Sequence, residues 1–160
     1  MAIKKQNLSD FNADSIPHIN TKGLQIAIVT AEWNSEITFS MEKACIETLQ
    51  QYGIDKNSIL VQKVAGSFEL PFAAQQLILN KNIDAVIWIG CIIQGETRHF
   101  DFIAQATANG IMNVGLECNV PVVFGVLTTN NMQQAIDRSG GIHGNKGVEA
   151  AVACLKLLAL

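Results

Sequence analysis

No run of lysine or arginine occurs in these 160 residues, and charged residues of both signs make up only 16% of them. With a net charge of −3, the chain has neither the basic patch that nucleic acid demands nor any attraction to an anionic membrane. No Cys-x-x-Cys pair occurs among Cys45, Cys91, Cys118 and Cys154, and none of them stands at ligand spacing from His18, His99 or His143. This argues against a zinc site and for buried, reduced thiols in a cytosolic protein. Long apolar runs are missing too. The longest, Ala85 to Ile93, is far too short to span a bilayer, and the N-terminus has no apolar core of a secretion signal. A cytoplasmic location is the expectation. No internal repeat and no second domain are visible, and 160 residues fit one core.

What the sequence has is apolar content. Hydrophobic residues make up 49%, more than a lone soluble domain of this size needs. Two arrangements account for that: a sheet buried on both faces, or surface hidden between subunits. The long helix expected near the middle carries Gly110 and Gly115 in its interior, each costing roughly 1 kcal/mol against alanine. Close packing against a neighbouring subunit's backbone is the expected reason.

Residues 1–23 are polar and read as an irregular or extended N-terminal arm ahead of a domain over 24–160. From Leu24 onward, short β-rich runs alternate with longer helical ones. Strands are expected at Leu24 to Thr30, Ser58 to Val64, Asp84 to Ile93 and Pro121 to Leu127. Helices are expected at Glu36 to Tyr52, ended by Gly53, and at Pro71 to Asn80, opened by its proline. Others follow at Phe100 to Cys118, Asn131 to Arg138 and Lys146 to Leu158. This order predicts an α/β fold: a flavodoxin-like three-layer sandwich around a four-stranded parallel sheet. Ligands of such sheets bind beyond the carboxyl ends of the strands, so the segments after each strand carry the chemistry.

After the first strand, Trp33 is placed to stack on a planar ligand, and Asn34 offers a donor and an acceptor. The plainer alternative is a half-buried tryptophan, with Asn34 or Ser35 capping the next helix. After the second, Gly66 permits close backbone approach, and free amides with Glu69 suit a polar ring edge and hydroxyls. The alternative is a connecting loop with Ser67 as cap. After the third, Gly95 and Thr97 at a helix start suit an anion, and His99 stands where it can move protons. Here the alternative is a Thr97 cap beside an exposed histidine. Between the last two helices, Arg138 to Gly147 holds four glycines with Arg138 and Lys146, the composition of a flexible anion-gripping loop. It matches neither a Walker motif nor a dinucleotide fingerprint. His143 and His18 read as solvated.

In this order, Trp33-Asn34, Gly66 to Pro71, Gly95 to Asp101, Pro121 to Thr129 and Gly144 to Ala151 resemble the lumazine synthase family from Leu24 to Leu160. The resemblance implies a transferase of riboflavin biosynthesis that condenses 5-amino-6-(D-ribitylamino)uracil with 3,4-dihydroxy-2-butanone 4-phosphate, without metal or cofactor. It implies that Trp33 stacks on the pyrimidine beside Asn34, and that Ser67, Phe68 and Glu69 contact ring and ribityl chain. Cys91, Ile92 and Ile93 would line the ring pocket. Gly95, Glu96, Thr97 and Arg138 would bind phosphate, with His99 transferring protons. Phe124, Arg138 and Lys146 would arrive from a neighbouring subunit in a homopentamer. A sixty-subunit shell and association with riboflavin synthase are further implications.

Two positions depart from the family's commonest pattern. Gln94 stands where arginine is frequent, and Glu96 sets an acid near a dianionic phosphate, so its side chain is expected to turn away. Competing readings are an archaeal-type riboflavin synthase and a non-catalytic ribityl-ligand-binding or shell-forming paralogue.

Overall fold

The structure, a computed structural model, describes residues 7–160; the first six residues of the expected arm lie outside them. Four strands form one parallel sheet: β1 (Ile26–Ala31), β2 (Ile59–Val64), β3 (Ala85–Ile93) and β4 (Val122–Thr129). Their spatial order is β2-β1-β3-β4. This is the flavodoxin-like order, and its reversal point lies between the carboxyl ends of β1 and β3.

Helices cover both faces. α1 (Ser35–Gln51) and α5 (Lys146–Leu157) pack against each other and on one face, over Ile26, Ile28, Ile87, Ile89 and Cys91. α2 (Leu70–Lys81) and α3 (His99–Cys118) cover the other, over Ala27, Val29, Val86 and Trp88. Central β1 is therefore buried along its whole length, whereas edge strand β2 alternates between buried-side and solvent-side residues. That difference follows from position alone: a central parallel strand has no wet face. Much of the high apolar content is thus used within one chain.

Local signals act where the sequence puts them. Gly53 adopts φ +89 just after α1, and Pro71 sits in the first turn of α2.

Two expectations are corrected. Gly110 and Gly115 do not wait for a neighbour's backbone. A Cβ on Gly110 would lie 2.7 Å from Pro71 Cγ, and one on Gly115 would meet Val122, both within the same chain. The glycines let α3 close onto α2 and β4. The stretch from Arg138 to Gly147 is likewise no loose loop. After α4 (Met132–Arg138), residues Ser139–Gly141 (β5) and Gly144–Asn145 (β6) pair as an antiparallel hairpin. Gly140 at φ +126 and Gly144 at φ +82 make the turn conformations that side chains resist. Leu8 and Ser9 bond to this hairpin: Leu8 N–H donates to the His143 carbonyl (2.6 Å), and Asn145 N–H donates to Ser9 Oγ (3.0 Å). His143 is therefore half-buried rather than solvated, whereas His18 is exposed.

Candidate active site

The sheet ladder continues past the ends of β1 and β2. Glu32 N–H donates to the Val64 carbonyl (2.8 Å) and Trp33 N–H to that of Ala65 (3.0 Å). The zipped segments set Trp33 beside the Gly66 loop. Trp33 is 74% exposed, which rules out the half-buried structural tryptophan.

Asn34, next in line, takes the left-handed conformation (φ 58, ψ 46) and makes no cap hydrogen bond. Its side-chain amide instead donates to the Cys91 carbonyl (2.9 Å). The bond spans the gap between the ends of β1 and β3, where the strand order reverses.

Residues Ser67–Glu69 form a single 3₁₀ turn leading into α2. Glu69 folds back so that its carboxylate accepts from Gly66 N–H (2.9 Å). Ser67 is buried, and Phe68 is left exposed. The serine is thus part of the turn's footing, and the phenylalanine beside it is left uncovered.

Beyond β3, Gln94 donates from its side-chain amide to the carbonyls of Gly95 (2.8 Å) and Thr97 (3.4 Å). Gln94 therefore shapes its own loop. Thr97 Oγ1 accepts from His99 N–H (3.4 Å), and His99, the first residue of α3, is exposed.

These segments surround one cleft of about 600 Å³, a size that suits a small organic substrate. Trp33, Ser67, Phe68 and Glu69 line it, with Cys91, Ile92 and Ile93 from the end of β3 and Gly95, Thr97 and His99 from the segment that follows. Phe100 and Ile103 complete it, and sequence reasoning missed them. The signal was available: positions 100 and 103 share the helix face that follows His99.

Five expected residues do not line the cleft: Asn34, Glu96, Phe124, Arg138 and Lys146. Glu96 is exposed. Phe124 lies mid-way along edge strand β4, paired with Trp88. Arg138 ends α4 and donates to its own helix at the Gln134 carbonyl (3.2 Å). Lys146 opens α5 and pairs with Glu149 (2.6 Å). No lysine or arginine is among the described residues around the cleft.

Burial pushes the Cys91 thiol up to about 11, so at neutral pH it stays protonated and serves as an apolar floor rather than a nucleophile.

The family model described as 6,7-dimethyl-8-ribityllumazine synthase matches residues 23–160. The chain belongs to that family. It is an enzyme, a transferase. A relative of that name from Cytophaga hutchinsonii is 50% identical over 159 residues, covering 99% of this chain and 98% of its own. One from Porphyromonas gingivalis is 48% identical over 160 residues, covering 100% and 98%. One from Flavobacterium johnsoniae is 46% identical, covering 98% of this chain and 82% of its own.

Proposed function

We propose that this chain condenses 5-amino-6-(D-ribitylamino)uracil with 3,4-dihydroxy-2-butanone 4-phosphate, giving 6,7-dimethyl-8-ribityllumazine, phosphate and water. The observation that carries the proposal is the cleft itself: exposed Trp33 and exposed His99 line one cavity with Cys91, Ile92 and Ile93 from the end of β3. A pyrimidine stacked on Trp33 lies against the turn at Ser67–Glu69, whose backbone and Glu69 meet ring edge and ribityl hydroxyls. An amine of the pyrimidine attacks the ketone of the second substrate, and loss of water gives an imine. Phosphate leaves, and the second amine closes the ring with loss of water. His99 carries protons between these steps. None of this needs a metal or an organic cofactor; holding two substrates in register supplies most of the acceleration.

A dianionic phosphate needs a cation, and no cation of the described residues lines the cleft. This supports a site shared between subunits, with Phe124, Arg138 and Lys146 supplied by a neighbour, and residues 1–23 as an arm on the 24–160 domain. α2 and α3 also expose Phe72, Phe102, Met112 and Leu116, apolar surface that an interface would cover. A head-to-tail contact of this kind closes into a ring, and five subunits is the size we propose. A sixty-subunit shell, association with riboflavin synthase and a cytoplasmic setting belong to the same proposal. Mixing purified protein with both substrates tests it. Lumazine fluorescence should rise with release of phosphate, and absence of both refutes the activity.

A further inference from the structure

Two threonines in helix interiors behave differently. On α1, Thr48 bonds back to the Ala44 carbonyl of its own helix (2.8 Å), the usual habit of a helical threonine. On α3, Thr107 does not. Its hydroxyl reaches out of the helix and donates to the carbonyl of Ser67 (3.2 Å), 40 residues earlier in the chain. Both groups are removed from water, Thr107 completely. The same carbonyl also accepts from Leu70 N–H, so both its lone pairs are used.

The surroundings are fitted to this bond. One turn further along α3, Gly110 lets the helix settle on Pro71, where a Cβ would come 2.7 Å from Cγ. Beneath the turn, a Cβ on Gly90 would lie 2.7 Å from Ser67 Oγ, so only glycine on β3 leaves room for the serine. Ser67 is thus held from below by β3 and from the side by α3. Phe68 and Glu69, the next two residues, are exposed at the cleft.

We propose that Thr107 is a positioning residue for the pyrimidine substrate. It touches no substrate. It fixes the Ser67 carbonyl, and through it the angle at which Phe68 and Glu69 enter the cleft. The inference rests on the proposed assignment of this turn to the pyrimidine. His99 sits on the same helix, but α3 is anchored independently by Gly110, Ile111 and Val114, so His99 keeps its place when the hydroxyl is lost.

Thr107→Val keeps the shape and removes the donor; Thr107→Ser keeps the donor. The valine variant should raise KM for the pyrimidine roughly three- to tenfold, the loss expected of one buried hydrogen bond. KM for the butanone phosphate and kcat should stay unchanged, and the serine variant should behave as wild type. A rise in both KM values, no rise for the pyrimidine, or a serine variant as poor as valine overturns the proposal. Should valine fail to fold, Thr107→Ala against Thr107→Ser decides by the same comparison. Phe68→Ala separates the two layers of the argument. If it weakens pyrimidine binding while Thr107→Val does not, the positioning role fails and the assignment of the turn survives. If Phe68→Ala leaves pyrimidine binding intact, the assignment fails and the positioning role with it.

Discussion

Asn34 and Cys91 hold the two halves of the sheet reversal together: the amide of one donates to the carbonyl of the other at 2.9 Å. To do so Asn34 occupies the left-handed region, which asparagine tolerates better than most residues. Two effects are therefore separable. Asn34→Ala loses the bond and suffers the backbone strain, about 2 kcal/mol together. Asn34→Gly loses only the bond, about 1 kcal/mol. Urea denaturation of both variants measures the difference, and equal losses would remove the strain from the account.

His99 is exposed and makes no side-chain hydrogen bond among the described residues. His99→Ala should leave the melting temperature alone and lower kcat roughly 100-fold, with a smaller effect on either KM. Steady-state kinetics at saturating substrate checks this; an unchanged kcat removes the imidazole from proton transfer.

Arg138 turns its guanidinium onto its own helix, with Nη1 on the Gln134 carbonyl. If it grips phosphate in a neighbour's cleft, Arg138→Lys should raise KM for the butanone phosphate and spare the pyrimidine, because lysine lacks the planar fork. Mixing inactive His99→Ala with inactive Arg138→Ala subunits should restore activity, since some shared sites draw both intact residues. No recovery after proven subunit exchange counts against a shared site.

Three buried thiols set a pH limit on stability. Burial pushes Cys91 from the ordinary 9.0 up to about 11 and Cys154 up to about 12, and raises Cys45 well above the ordinary value. Above pH 9 the unfolded chain releases these protons while the folded chain keeps them, so the unfolded state gains. Stability should be level below that point and fall from about pH 9 onward, with Cys91 contributing to the fall up to about pH 11 and Cys154 up to about pH 12. Urea midpoints across this range check the slope, and Cys154→Ala should make it shallower.

The fold was legible where burial leaves a period in the sequence. Ala85–Ile93 reads as a central strand because it is apolar on both sides, and Gly53 and Pro71 mark helix ends through conformations open to few other residues. The cleft was legible as a set of segments, since topology alone says that strand ends converge. Contacts across the chain were not. A glycine shows that space is needed and not what fills it, so Gly110 suggested a neighbour and proved to face Pro71. Strands as short as those at Ser139–Gly141 and Gly144–Asn145 have no period to detect. Nor does any local pattern pair Thr107 with Ser67, or send the Asn34 amide to β3 rather than to its own helix.

The strand order also has a meaning in time. As the chain leaves the ribosome, β2 adds to one edge of β1, β3 to the other, and β4 to β3; no strand must thread between two already paired. The sheet can therefore assemble in step with synthesis. The face carrying α1 cannot. Met41, Cys45 and Leu49 share one buried cluster with Ala150, Ala151, Cys154 and Leu155 of α5, and α5 docks where Gly147 fits against the Met41 carbonyl, 106 residues away in sequence. That face therefore closes after the sheet is made, when a helix that starts at Lys146 meets one that starts at Ser35.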